Sequence, residues 1–152
     1  MSESLPADVV GIHHVAFAVA DLDASLEYWT STFGATLELR AVVAEQGVEA
    51  ASLQWHAAAG TGPLPHGTLL ELVAPHGDHS GVAKFLDRRG PGMHHVAWAV
   101  HDVAATLERL ARAGARLIDE QPRIGLHGTP VAFVHPSATG GVLVELVEVP
   151  GA

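Results

Sequence analysis

The sequence contains no cysteine, which excludes disulfides, thiolate metal sites and a cysteine nucleophile together. Basic residues are scarce, 8 against 17 acidic ones, and the net charge is −9 with histidine neutral. Nucleic acid is thereby excluded as the main partner, because phosphate binding needs clustered Lys and Arg. No apolar run reaches the roughly 18 residues that a membrane span requires, and no membrane association is expected. The opening residues MSESLPAD lack a basic region followed by an apolar stretch, so no secretory leader is expected and a cytoplasmic setting is. Charged residues make up only 16% of the 152 residues and apolar ones 48%, a balance that builds a packed core of single-domain size. Against these scarcities stands one excess, 11 histidines.

Self-comparison places them. Residues 13–27 (HHVAFAVADLDASLE) align with 94–108 (HHVAWAVHDVAATLE) at an offset of 81, with 10 of 15 positions identical. Residues 67–73 (GTLLELV) align with 141–147 (GVLVELV), with 5 of 7 identical. The chain therefore reads as a single domain, 1–152, made of two copies of one unit, about 11–75 and 92–149.

Each copy opens on a short β-branched and aromatic run, 12–19 or 94–100, ending at an Asp suited to cap a helix. Leu22, Leu26 and Trp29 then recur at helical spacing up to Gly34, as do Val103, Leu107, Leu110 and Ala111 up to Gly114. Three strands are expected after each helix, about 36–43, 48–55 and 68–74, then 115–118, 130–135 and 142–148. The fold class is α+β, with two tandem β-α-β-β-β units and mixed sheets. Residues 80–89 form an expected linking helix closed by Gly90-Pro91-Gly92, and 57–67 reads as a loop.

Two glutamates sit where strands are apolar on both sides, Glu71 in LLELV and Glu145 in LVELV. Such strands are normally covered on both faces, where an ionised carboxylate is costly without a cation or donors. A sheet edge facing water is the ordinary alternative, and recurrence in both copies weakens it. Strand alternation lets only one histidine of each His-His pair face a common pocket. His14 shares its side with Ala16 and Ala18, and His95 with Ala97 and Ala99, whereas His13 sides with the bulky Val15, Phe17 and Val19. The second histidine of each pair is therefore the candidate ligand. Two related copies could bring His14, Glu71, His95 and Glu145 to one central site, a set suited to Co, Mn, Ni, Fe or Zn with open coordination.

At these residues the chain resembles the vicinal-oxygen-chelate (glyoxalase/bleomycin-resistance) superfamily, whose paired units form a cup around a metal. Within it the sequence is most similar to the methylmalonyl-CoA epimerases. The similarity runs from Gly11 to about Val149. It is most specific at EQGV (45–48), VAKFL (82–86) running into GMHH (92–95), LIDEQPRIG (117–125) and FVHPSATGGVLVEL (133–146). It implies His14, Glu71, His95 and Glu145 as ligands of one divalent ion, Co2+ favoured, with Mn2+, Ni2+ or Zn2+ as options. The implied reaction interconverts (2R)- and (2S)-methylmalonyl-CoA, or a close short-branched malonyl-CoA thioester, by α-proton abstraction through a metal-stabilised enolate. Glu145 is ligand and base.

Some resembling enzymes carry a second catalytic glutamate where this chain has Ala50. The neighbouring Glu49 reaches the site only if a bulge shifts the register; water on the metal, or Glu71, are the other donors. Gln46 and the turn Gly125-Leu126-His127-Gly128 are the implied substrate-binding residues, the turn through its backbone N–H groups. Lys84, Arg88 and Arg89, or Arg116 and Arg123, are candidate patches for the anionic coenzyme A. The remaining histidines are surface or supporting residues, His135 the best placed to support a ligand. A homodimer is also implied. A glyoxalase I-type isomerase (lactoylglutathione lyase) and a non-catalytic small-molecule-binding member are the alternatives.

Overall fold

The computed structural model describes residues 9–55 and 67–151, so the loop expected over 57–67 lies outside the described residues save for Gly67. Two β-α-β-β-β runs follow one another. The first is β1 (Val9–Ala18), α1 (Leu22–Phe33), β2 (Thr36–Val43), β3 (Val48–Gln54) and β4 (Leu69–Pro75). A helix α2 (Gly81–Arg89) leads to β5 (Gly92–Val100), α3 (Val103–Arg112), β6 (Arg123–Ile124), β7 (Pro130–Val134) and β8 (Val144–Glu148).

The helix starts follow the expected caps. The Asp21 carboxylate accepts the N–H of Ala24 at 3.0 Å and that of Asp102 accepts the N–H of Ala105 at 2.9 Å. Ser80 does the same for α2, its hydroxyl oxygen accepting from Ala83 at 3.4 Å. Each cap satisfies a donor that the first helical turn cannot pair. Gly34 closes α1 with φ of 70°, a left-handed conformation that a residue with a Cβ adopts at a cost.

The described chain divides into two compact units, and the boundary falls inside strands rather than between the sequence copies. One unit is His13–Val96; the other takes residues 9–12 and 97–151.

In His13–Val96, β2 and β3 pair antiparallel, β3 and β4 antiparallel, and β4 and β1 parallel, which makes the sheet mixed. One face packs on α1: Leu22 and Leu26 bury against Ala51, Leu53, Leu70, Leu72 and Ala74, with Phe17, Val19 and Trp29 closing the edge. The period of 2 in a strand then fixes the other face. His14, Ala16 and Ala18 of β1 lie on it with Leu69, Glu71 and Val73 of β4 and Val48, Ala50 and Ser52 of β3, as the register Ala16↔Glu71↔Ser52 requires.

In the second unit β6 pairs with β7 and β7 with β8, all antiparallel. Val103 and Leu107 of α3 pack on Val100, Ala132, Val134, Val144 and Leu146. Ala97, Val131 and Val147 cluster on the opposite face, to which alternation also assigns Phe133 and Glu145.

The strand expected at 115–118 does not form; only Leu117 bridges, to Val134. The Asp119 carboxylate accepts the N–H of Phe133 at 2.8 Å, so a side chain takes the donor that a neighbouring strand would use. Pro122, which has no N–H, follows, and pairing resumes at Arg123 and Ile124 as a two-residue strand.

Candidate metal centre

His14 on β1, Glu71 on β4 and His95 on β5 are 2%, 7% and 3% exposed. His14 Nε2 stands 3.2 Å from His95 Nε2 and 3.3 Å from Glu71 Oε2. One ligand atom from each of the three lies within 4.8 Å of the others. Nitrogen and oxygen ligands about 2.1 Å from one ion are roughly 3.0–3.4 Å from each other in octahedral or tetrahedral arrangement, so the observed spacings fit a shared cation.

The outer ring nitrogens strengthen this reading. His13 Nδ1 meets His14 Nδ1 at 2.8 Å, and His94 Nδ1 meets His95 Nδ1 at 2.8 Å. A neutral imidazole carries one N–H. If His14 and His95 donate outward from Nδ1, their Nε2 lone pairs face each other and the Glu71 carboxylate. Three acceptors converging in a buried place repel one another until a positive charge sits among them. The fit to a divalent metal rests on that donor set, two imidazoles and a carboxylate. His13 and His94 occupy the place of the groups that orient ligand histidines in metal sites. The two His-His pairs were the visible signal for this role, but alternation alone sorted each pair into one candidate ligand and one outward residue. His94 is in turn held edge-on by the Phe85 ring, 5.1 Å between centroids.

Glu145 lies in the other unit. It is 5% exposed on β8, opposite Phe133 in register and on the face away from α3.

Glu49 is turned away from the Glu71 face. The register runs without a break through Val42↔Glu49 and Glu49↔Ala74, and the only shift recorded on that strand pair is between Leu37 and Leu39. The bulge that would redirect Glu49 is therefore absent, and its carboxylate accepts from Arg40 Nε at 2.6 Å. Arg40 also reaches Asp23 at 2.6 Å. These two carboxylates, Glu49 first, hold the guanidinium above its ordinary range. Ala50, on the site face, brings no titratable group.

Gln46 ends a single 3-10 turn, Ala44–Gln46. Gly47 follows with φ of 64°, and a Cβ there would come within 3.1 Å of the His79 carbonyl, so glycine is required. In the second unit two N–H groups of the turn at 125–128 are already engaged: Gly125 donates to the Thr129 carbonyl and Gly128 to that of Gly125, each at 3.0 Å. A Cβ at Gly125 would meet Val131 Cγ1 at 2.6 Å. His135 Nδ1 contacts Ser137 Oγ at 2.8 Å and caps a 3-10 turn, Pro136–Ala138. Lys84, Arg88 and Arg89 are exposed on α2, with Arg89 over the Phe85 ring at 5.7 Å.

Residues 13–133 match the model of the Glyoxalase/Bleomycin resistance protein/Dioxygenase superfamily. The chain belongs to that superfamily and, within it, to the family of the methylmalonyl-CoA epimerases. It is 37% identical to an ethylmalonyl-CoA/methylmalonyl-CoA epimerase of Cereibacter sphaeroides, over 91% of this chain and 97% of that protein. The crystal structure of the methylmalonyl-CoA epimerase from Mycobacterium tuberculosis superposes with a TM-score of 0.83 at 38% identity, covering 97% of this chain and 93% of that one. A methylmalonyl-CoA epimerase in complex with methylmalonyl-CoA and NH4+ superposes at 0.82 with 34% identity, over 92% and 94%.

Proposed function

We propose that the protein interconverts the (2R) and (2S) forms of methylmalonyl-CoA, or of a close short-branched malonyl-CoA thioester. The observation that carries the reading is the buried His14-Glu71-His95 cluster in a chain of this family. His14, Glu71 and His95, with Glu145 as fourth ligand, would hold one divalent ion, Co2+ the favoured one. When bound, that ion supplies positive charge to the substrate oxygens and so offsets the negative charge that develops as the α-proton leaves.

The protein's own groups move the proton. The Glu145 carboxylate takes it from one face of the α-carbon. Because Glu49 faces Arg40, Ala50 has no proton to give and Glu71 is engaged as a ligand, a water molecule is the group we assign to return a proton on the other face. The two exchange roles in the reverse direction. Gln46 and the turn at Gly125, Leu126, His127 and Gly128 are assigned to hold the acyl end, and the exposed Lys84, Arg88 and Arg89 to meet the coenzyme phosphates. A homodimer acting in the cytoplasm completes the proposal.

The test is α-proton exchange of methylmalonyl-CoA in deuterated water, run beside the hemithioacetal of methylglyoxal and glutathione. Exchange is expected with the thioester. Turnover of the hemithioacetal with none of the thioester would replace this reading by that of a glyoxalase I-type isomerase. Elemental analysis is expected to find about one divalent ion per chain, and an active preparation without one would remove the metal from the scheme.

A further inference from the structure

Ser52 is fully buried, 0% exposed, and its hydroxyl has no hydrogen-bond partner among the described residues. Buried hydroxyls are nearly always paired, so an unpaired one marks a group waiting for a change in its surroundings. Its position narrows the choice. Ser52 is the antiparallel register partner of Glu71, and it alternates with Ala51 and Leu53, which pack toward α1. It therefore projects to the Glu71 side. Side chains directly opposed in an antiparallel pair start from Cβ atoms about 4.5–5.5 Å apart, a separation that one hydroxyl rotor and a carboxylate can close.

We propose that Ser52 is a positioning residue of the candidate metal centre, its hydroxyl donating to the Glu71 carboxylate when that carboxylate binds a cation. This rests on the metal-centre reading above. A carboxylate has about four lone-pair sites on two oxygens, so ligation through one leaves acceptor capacity for a neighbouring O–H. A donor there selects one carboxylate orientation, and such supporting hydrogen bonds usually carry a tenfold or larger share of metal affinity. At the matching place across β7 from Glu145 stands Phe133, which has no side-chain donor.

The experiment titrates Co2+ into the metal-stripped chain and into Ser52→Ala and Ser52→Thr variants, reading affinity by calorimetry and coordination by the visible Co2+ spectrum. Ser52→Ala is expected to weaken Co2+ binding about tenfold and to shift the spectrum. Ser52→Thr, which keeps the hydroxyl, is expected to return both toward wild type. The thermal midpoint of the metal-free Ser52→Ala chain should not fall, because no bond is lost in that state. Unchanged affinity and spectrum in Ser52→Ala would overturn the role of Ser52 alone. A wild-type chain that takes up no Co2+ would overturn the metal centre, and this inference with it.

Discussion

The two compact units carry the same motif, a strand with a central glutamate among apolar residues, and surround it differently. In His13–Val96 the glutamate is flanked by Ser52 and by Ala16 in register, with His14 Nε2 at 3.3 Å. In the other unit Glu145 faces Phe133 and shares its side of the sheet with Val131 and Val147. Both glutamates are buried on the face away from their helix, and they differ in the residue across the antiparallel ladder. Duplication copied the backbone solution, and the side chains around each carboxylate were then free to diverge. A cation ligand profits from a hydrogen-bonding neighbour that fixes its orientation. Across its ladder Glu71 has such a neighbour in Ser52, and the residue across from Glu145 is Phe133.

The contrast is most sharply tested by removing charge from the Glu145 side. Glu145→Gln is expected to lower kcat by about 10²–10⁴-fold, the share a positioned general base provides, with α-proton exchange falling in step. Full activity in that variant would end the role of Glu145 as base. The two cores are expected to matter similarly for stability: Leu72→Ala and Leu107→Ala should each cost about 2–5 kcal/mol in denaturant titrations. A much smaller cost for one would show that its unit is the softer of the two. Next, His13→Ala and His94→Ala should each weaken divalent-metal binding about 10–100-fold while the ligand histidines remain. Loss at one position only would mean that the two His-His pairs are not equivalent. The helix caps form a smaller matched pair, with Asp21→Ala and Asp102→Ala each expected to destabilise by about 1 kcal/mol. Least of all, Glu49→Gln should leave kcat unchanged, since that carboxylate is engaged with Arg40; a large loss would return Glu49 to the site.

Much of the fold was legible because short-range signals carried it. Asp21 and Asp102 announce helix starts, Gly34 an end, and strands 36–43 and 130–135 match the observed Thr36–Val43 and Pro130–Val134 to within a residue. The strand expected at 115–118 was misjudged because its fate depended on Asp119, whose carboxylate reaches a backbone N–H 14 positions away. Leu117 and Ile118 have strand propensity, and nothing local shows that the partner donor is already taken. Among the site residues, alternation set His14 and His95 apart from His13 and His94, and His14, Glu71 and His95 are the side chains that lie together. It also turned Glu49 away once no bulge intervened. It was silent on what an outward histidine does with its inner nitrogen.

The sequence by itself determined the duplicated pattern, the chemistry of the candidate ligands and the face each occupies, because a strand's period of 2 is a property of the covalent backbone. Only the tertiary structure decided that His14, Glu71 and His95 come within ligand distance, that His13 and His94 back two of them, and that Ser52 stands across from Glu71. Those facts depend on which strands pair and in what register. Pairing is chosen by the burial of whole faces, and no single stretch of chain records it.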